Sequence, residues 1–92
     1  MARQQVQVVY SGRVQGVGFR YATKSVAAGY EITGTVRNLS DGRVELTAHG
    51  ERGELEAFLA ALEDSGLRRF IRSKEIAWQE PLGAWKGFEI VA

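Results

Sequence analysis

The sequence predicts an α+β sandwich of order β-α-β-β-α-β, its antiparallel sheet carrying two helices on one face and a short extra strand at the C-terminus. Three observations predict it. Apolar and polar residues alternate around Val6, Val8 and Tyr10 and again around Val44, Leu46 and Ala48. Leu55, Phe58, Leu59 and Leu62 stand at i, i+3, i+4 and i+7, a helical stripe. Asp41-Gly42 separates two β-rich runs, as in a hairpin.

Taken in order, the first strand starts at Gln5 with Val6, Val8 and Tyr10 on one face and Gln5, Gln7 and Ser11 on the other. GRVQGVG then interrupts it. From Phe19, the spacing of Phe19, Ala22, Val26 and Gly29 predicts a first helix ending near Gly29. Residues 32–38 are rich in β-branched side chains and lead through Leu39-Ser40-Asp41-Gly42 into a strand where Val44, Leu46 and Ala48 alternate with Arg43, Glu45 and Thr47. The second helix follows and stops near Gly66. Ile76 and Trp78 mark a strand before Pro81, and Phe88 and Ile90 a short closing one. This is the split βαβ, or ferredoxin-like, order.

Ninety-two residues predict one domain over 1–92, with an ordinary globular share of apolar (45 %) and charged (25 %) residues. Twelve Lys and Arg balance eleven Asp and Glu. A whole-protein affinity for nucleic acid or membrane is therefore not expected, and any attraction for anions has to be local. The absence of cysteine excludes disulfides, thiolate catalysis, iron–sulfur clusters and cysteine zinc sites, and a single histidine argues against a histidine metal site. MARQQVQVVY lacks the apolar run of a signal peptide, and no window nears the roughly 18 apolar residues of a membrane helix, so a cytoplasmic protein is expected.

The stretch GRVQGVGFR, residues 12–20, sets three glycines around two arginines, where glycine inside a regular element costs stability. A glycine-rich turn entering a helix exposes backbone N–H groups that lack internal partners, and the helix dipole adds positive potential. Anions bind well there. Arg20, in the first helical turn, adds a fork of donors suited to a phosphate or carboxylate. The stretch is neither a Walker A motif, because Phe19-Arg20 replaces Lys-Ser/Thr, nor a dinucleotide fingerprint, because Gly16-x-Gly18 is followed by Tyr21. The plainer reading is a tight connection with Arg20 solvated. A nine-residue run of this composition goes beyond it.

GRVQGVGFR together with GTVRNLSDGRVEL, residues 34–46, resembles the two signature stretches of the acylphosphatase family, enzymes that hydrolyse carboxyl phosphates. Eighteen positions separate Arg20 from Asn38, as in the family pattern, and the resemblance runs from Val6 to the closing GFEI. It implies a ferredoxin-like domain whose loop, Gly12, Arg13, Val14, Gln15, Gly16, Val17, Gly18 and Phe19, cradles the phosphate through backbone N–H groups. It also implies that Arg20 binds the phosphoryl oxygens and that Asn38 holds the attacking water. Neither metal nor organic cofactor is expected. The implied partners are a small-molecule acyl phosphate and the product inorganic phosphate; the balanced charge and the lack of an apolar span predict no nucleic acid and no membrane, and the lack of a coiled-coil seam a monomer.

The chemistry suits these residues. The carboxylate of an acyl phosphate leaves readily, so the demand falls on stabilising phosphoryl charge and holding a water in line. An Asn amide carries donors and an acceptor and does not titrate, so it orients water without acting as a base. The proton then passes to the substrate's phosphate or to solvent. The loop and Asn38 read the phosphate end and leave the acyl group largely unread.

Other residues take plainer readings. His49 lies on the polar phase of its strand and reads as a solvated side chain; Asp41-Gly42 reads as the hairpin turn; Arg68, Arg69 and Arg72 read as a solvated edge; Arg13 divides evenly between loop function and solvent. Two positions depart from the family pattern: Thr35 stands where an aromatic residue is common, implying looser packing behind Asn38, and Lys74 falls on an apolar phase, from which it would snorkel past the sheet edge. A non-catalytic anion-binding module is the competing reading. An RNA-binding domain of the same order needs stacking aromatics on its third strand, and RVELTAHG, residues 43–50, has none. Similar domains also head larger carbamoyl-transfer maturation proteins, which continue into cysteine zinc fingers, and these 92 residues contain no cysteine.

Overall fold

The computed structural model describes residues 3–81, 83 and 86–92; Met1, Ala2, Leu82, Ala84 and Trp85 lie outside the described residues. Among the described residues five strands and two α-helices follow the expected order, with short π and 3-10 turns (Glu63–Leu67, Arg68–Phe70) joining α2 to β4: β1 (Arg3–Gly12), α1 (Phe19–Ala27), β2 (Thr33–Asn38), β3 (Val44–Glu51), α2 (Arg52–Leu62), β4 (Ile71–Gln79) and β5 (Phe88–Ile90). The strands lie side by side as β4-β1-β3-β2-β5. The β1–β3, β1–β4 and β2–β3 pairs are antiparallel, and the short β5 adds a parallel pair along β2, so the sheet is mixed at that edge.

Register explains the core. Val6 faces Ala48, Val8 faces Leu46 and Tyr10 faces Val44 across β1 and β3, while Val36 of β2 faces Leu46. These side chains share one face of the sheet and are buried against Phe19 and Ala27 of α1 and Leu55, Phe58, Leu59 and Leu62 of α2. Each large side chain so buried stabilises the fold by about 1.5–3 kcal/mol. The stripe of α1 differs from the sequence expectation. Phe19, Thr23 and Ala27 are the fully buried residues, because the Thr23 hydroxyl donates to the Phe19 carbonyl at 2.8 Å and so loses its need for water. The helix stops at Ala27, two residues before Gly29.

The hairpin closes as expected at Asp41-Gly42: the Leu39 N–H donates to the Arg43 carbonyl (2.8 Å), and Gly42 turns with φ 96°. The Asp41 carboxylate accepts from the Arg43 N–H and guanidinium, the first of which holds its pKa below the usual range. At the other edge Lys74 of β4 forms an ion pair with Glu63, just beyond α2, so its charge leaves the apolar row as snorkelling predicts. No helix among the described residues is long and apolar enough to cross a membrane.

Candidate active site

The loop between β1 and α1 is fastened before it opens. Gly12 closes β1 beside Ile71, where an added Cβ would fall 2.4 Å from the Phe70 carbonyl oxygen, so only glycine permits this approach. The Arg13 N–H donates to the same carbonyl at 2.9 Å. Val14 is fully buried in the core. The Gln15 side-chain amide donates to the Leu39 carbonyl at 2.8 Å and to the Arg43 carbonyl at 3.0 Å, tying the loop to the β2–β3 hairpin. Gly16 and Gly18 then take left-handed conformations, φ 76° and 82°. Neither is crowded, so backbone shape is what calls for glycine. Phe19 returns the chain to the core, its ring 5.0 Å from that of Tyr10.

Gly18 is the N-cap of α1, and no side chain caps the helix or places a carboxylate in its first turn. Its first N–H groups and positive dipole end are left for a ligand. Beside it opens a pocket of about 230 Å³, lined by Val14, Gly16, Gly18, Phe19, Arg20, Tyr21 and Asn38. The two glycines line it with backbone alone.

Arg20 and Asn38, far apart in sequence, therefore meet at one pocket. Arg20 is half-buried and pairs with no carboxylate among the described residues. Asn38 ends β2 opposite Val44, and its buried amide oxygen Oδ1 has no hydrogen-bond partner among the described residues. An unpartnered buried acceptor costs about 1–3 kcal/mol, a cost that a bound water or ligand removes. Among the described residues no Asp, Glu, His or Lys lines the pocket, so the arrangement can hold an anion and orient a water but offers no strong side-chain base. No group of three or more His, Asp or Glu among the described residues is placed to hold a metal ion.

Four of the expected loop residues, Val14, Gly16, Gly18 and Phe19, line the pocket, whereas Gly12, Arg13, Gln15 and Val17 do not. Arg13 has spent its N–H on Phe70, and its exposed side chain lines a separate surface pocket with Arg69 and Arg72. Gln15 acts as a brace. Thr35 faces Thr47 on the side of the sheet opposite Val36 and the core, so it does not pack behind Asn38 as expected. His49 is corrected as well. It is buried, 2 % exposed, with Nε2 2.5 Å from Gln5 Oε1, and it sits opposite Thr33 at the far end of β2 from Asn38, roughly 17 Å along the strand. The residue that sequence reasoning missed is Tyr21 on the pocket rim; a lone aromatic in a helical stretch carries no signal of that place.

The acylphosphatase family model matches residues 6–90. An acylphosphatase from Syntrophotalea carbinolica is 42 % identical over 85 residues, 92 % of this chain and 92 % of the relative. The crystal structure of acylphosphatase from Bacillus subtilis superposes with a TM-score of 0.88 at 32 % identity, covering 97 % of this chain and 99 % of that one. HypF from T. kodakarensis is 27 % identical with a TM-score of 0.83, covering 96 % of this chain but 12 % of that protein. On a match that spans both signature stretches and the whole sheet, the chain belongs to the acylphosphatase family of hydrolases.

Proposed function

We propose that this protein hydrolyses the carboxyl–phosphate bond of acyl phosphates, releasing a carboxylate and inorganic phosphate. The phosphoryl group sits in the pocket at the α1 N-terminus, its oxygens held by the Arg20 guanidinium and by backbone N–H groups of the Gly16–Phe19 turn. Asn38 accepts a hydrogen bond from the attacking water through Oδ1. The water oxygen forms a bond to phosphorus as the bond from phosphorus to the acyl oxygen breaks, and the carboxylate departs with the electron pair. The water's proton passes to a phosphoryl oxygen or to solvent.

The observation that carries this reading is the meeting on one pocket of a guanidinium that pairs with no carboxylate and a buried amide oxygen that has no donor, both among the described residues. Simple anion binding accounts for the first and gives no reason for the second. Positioning plus electrostatics is the catalysis that phosphoryl transfer asks of a protein.

Hydrolysis of benzoyl phosphate in the presence of a chelator tests the reading. Turnover that survives chelation and is nearly abolished by Asn38→Asp, which sets a carboxylate beside an anionic substrate, is the expected result. Binding of inorganic phosphate with no rate above buffer would make the domain an anion-binding module instead.

A further inference from the structure

Because the cradle holds the phosphoryl end of the substrate, the acyl group has to project towards the pocket mouth. Of the side chains there, Val14 and Phe19 are buried in the core and present no face to solvent, and Arg20 and Asn38 are the two assigned above to the phosphoryl group and the water. Tyr21 is different. It is 78 % exposed, the most exposed of the large apolar side chains Tyr21, Ile76 and Val91, and of these it alone lines the pocket. Ile76 lies on the β4 edge strand and Val91 follows β5.

We propose that Tyr21 is the acyl-group subsite of this enzyme and that it favours acyl phosphates whose acyl group is flat and apolar, aryl groups above all, over small aliphatic ones. This rests on the reading of the pocket given under Proposed function. A phenol ring on the first turn of α1, next to Arg20, offers a π-face to whatever leaves the cradle. The planar carbonyl of an acyl phosphate, extended by a conjugated ring, stacks on that face in the offset manner that aromatic pairs prefer. A two-carbon acyl group covers little of it. Such a contact is present in the ground state and the transition state alike, so it acts mainly on KM.

The test compares kcat/KM for benzoyl phosphate and acetyl phosphate in the wild type, Tyr21→Ala and Tyr21→Phe. Taking the ratio of the two substrates within each protein, then between proteins, cancels their different intrinsic reactivities. Tyr21→Ala is expected to lower the benzoyl-to-acetyl ratio roughly three- to tenfold through the KM for benzoyl phosphate, the range an aromatic pair is worth. Tyr21→Phe, which keeps the ring, is expected to hold the wild-type ratio. An unchanged ratio in Tyr21→Ala, or an equal loss for both substrates through kcat, overturns the proposal while leaving acyl phosphate hydrolysis intact. A wild type that turns over neither substrate removes the reading of the site itself and this inference with it.

Discussion

Two sets of polar residues sit at opposite ends of the paired strands β2 and β3 and meet opposite fates. At one end His49 lies beside Gln5 in the register, both buried, and the Gln5 amide nitrogen donates to Oε1 of the exposed Gln79 at 2.7 Å, making a row across β3, β1 and β4 that runs from the interior to the surface. At the other end Arg20 and Asn38 face an open pocket, the guanidinium without a carboxylate and the amide oxygen without a donor among the described residues. Burial of a polar group is thus no sign of function by itself. The buried Gln5 and His49 side chains have exchanged water for each other, whereas the pocket keeps hydrogen-bonding capacity that no described residue uses.

The contrast can be broken most forcefully at Arg20. Arg20→Lys keeps the charge and loses the fork, and should cost about 2–4 kcal/mol of transition-state stabilisation, roughly a 30- to 900-fold fall in kcat/KM for benzoyl phosphate. A near-normal rate would remove Arg20 from the mechanism. A smaller loss is expected at the brace between the two halves of the site. Gln15→Leu removes both hydrogen bonds that hold the loop to the hairpin, and steady-state kinetics should show kcat/KM down by one to two powers of ten, about the cost of a slight misplacement of reacting groups. If the rate is unchanged, the Val14 anchor and the Arg13–Phe70 bond hold the loop alone.

The smallest effect belongs to the closed row. Burial, with Arg3 adding to it, holds the His49 imidazole below its usual pKa. The unfolded chain, with an ordinary value near 6.5, therefore takes up the proton first. Stability is full above that pH and declines as pH falls through the lowered folded value. Thermal unfolding between pH 7 and pH 5 should show a steeper loss of Tm in the wild type than in His49→Gln, while the pH profile of hydrolysis stays the same in both. A hydrolysis profile that moves with His49 would bring that residue into the chemistry and erase the distinction between the two ends.

Much of this was legible because it is written in local pattern. Alternation placed β1 and β3, the Leu55–Leu62 stripe placed α2, and the glycines at 16 and 18 announced a turn that helical or extended backbone cannot make. Arg20 and Asn38 were legible through the spacing of two signature stretches. What was not legible depends on neighbours distant in sequence. The polar phase of β3 pointed His49 to solvent, but Gln5, 44 positions away, covers it from the adjoining strand. The sequence offers no sign that the Gln15 side chain reaches the carbonyls of Leu39 and Arg43, 24 and 28 positions on. Thr23 joins the buried stripe of α1, against its polar type, because its hydroxyl finds the Phe19 carbonyl one turn back.

The most direct test of the account is the split between binding and turnover at Asn38. Benzoyl phosphate hydrolysis by Asn38→Ala should be measured alongside its inhibition by inorganic phosphate. If the Asn38 amide holds the water and Arg20 the phosphate, kcat is expected to fall about 10²- to 10³-fold while phosphate inhibits at close to its wild-type concentration. A kcat near that of the wild type would contradict the assignment of Asn38 and leave its unpartnered oxygen without a role in the reaction.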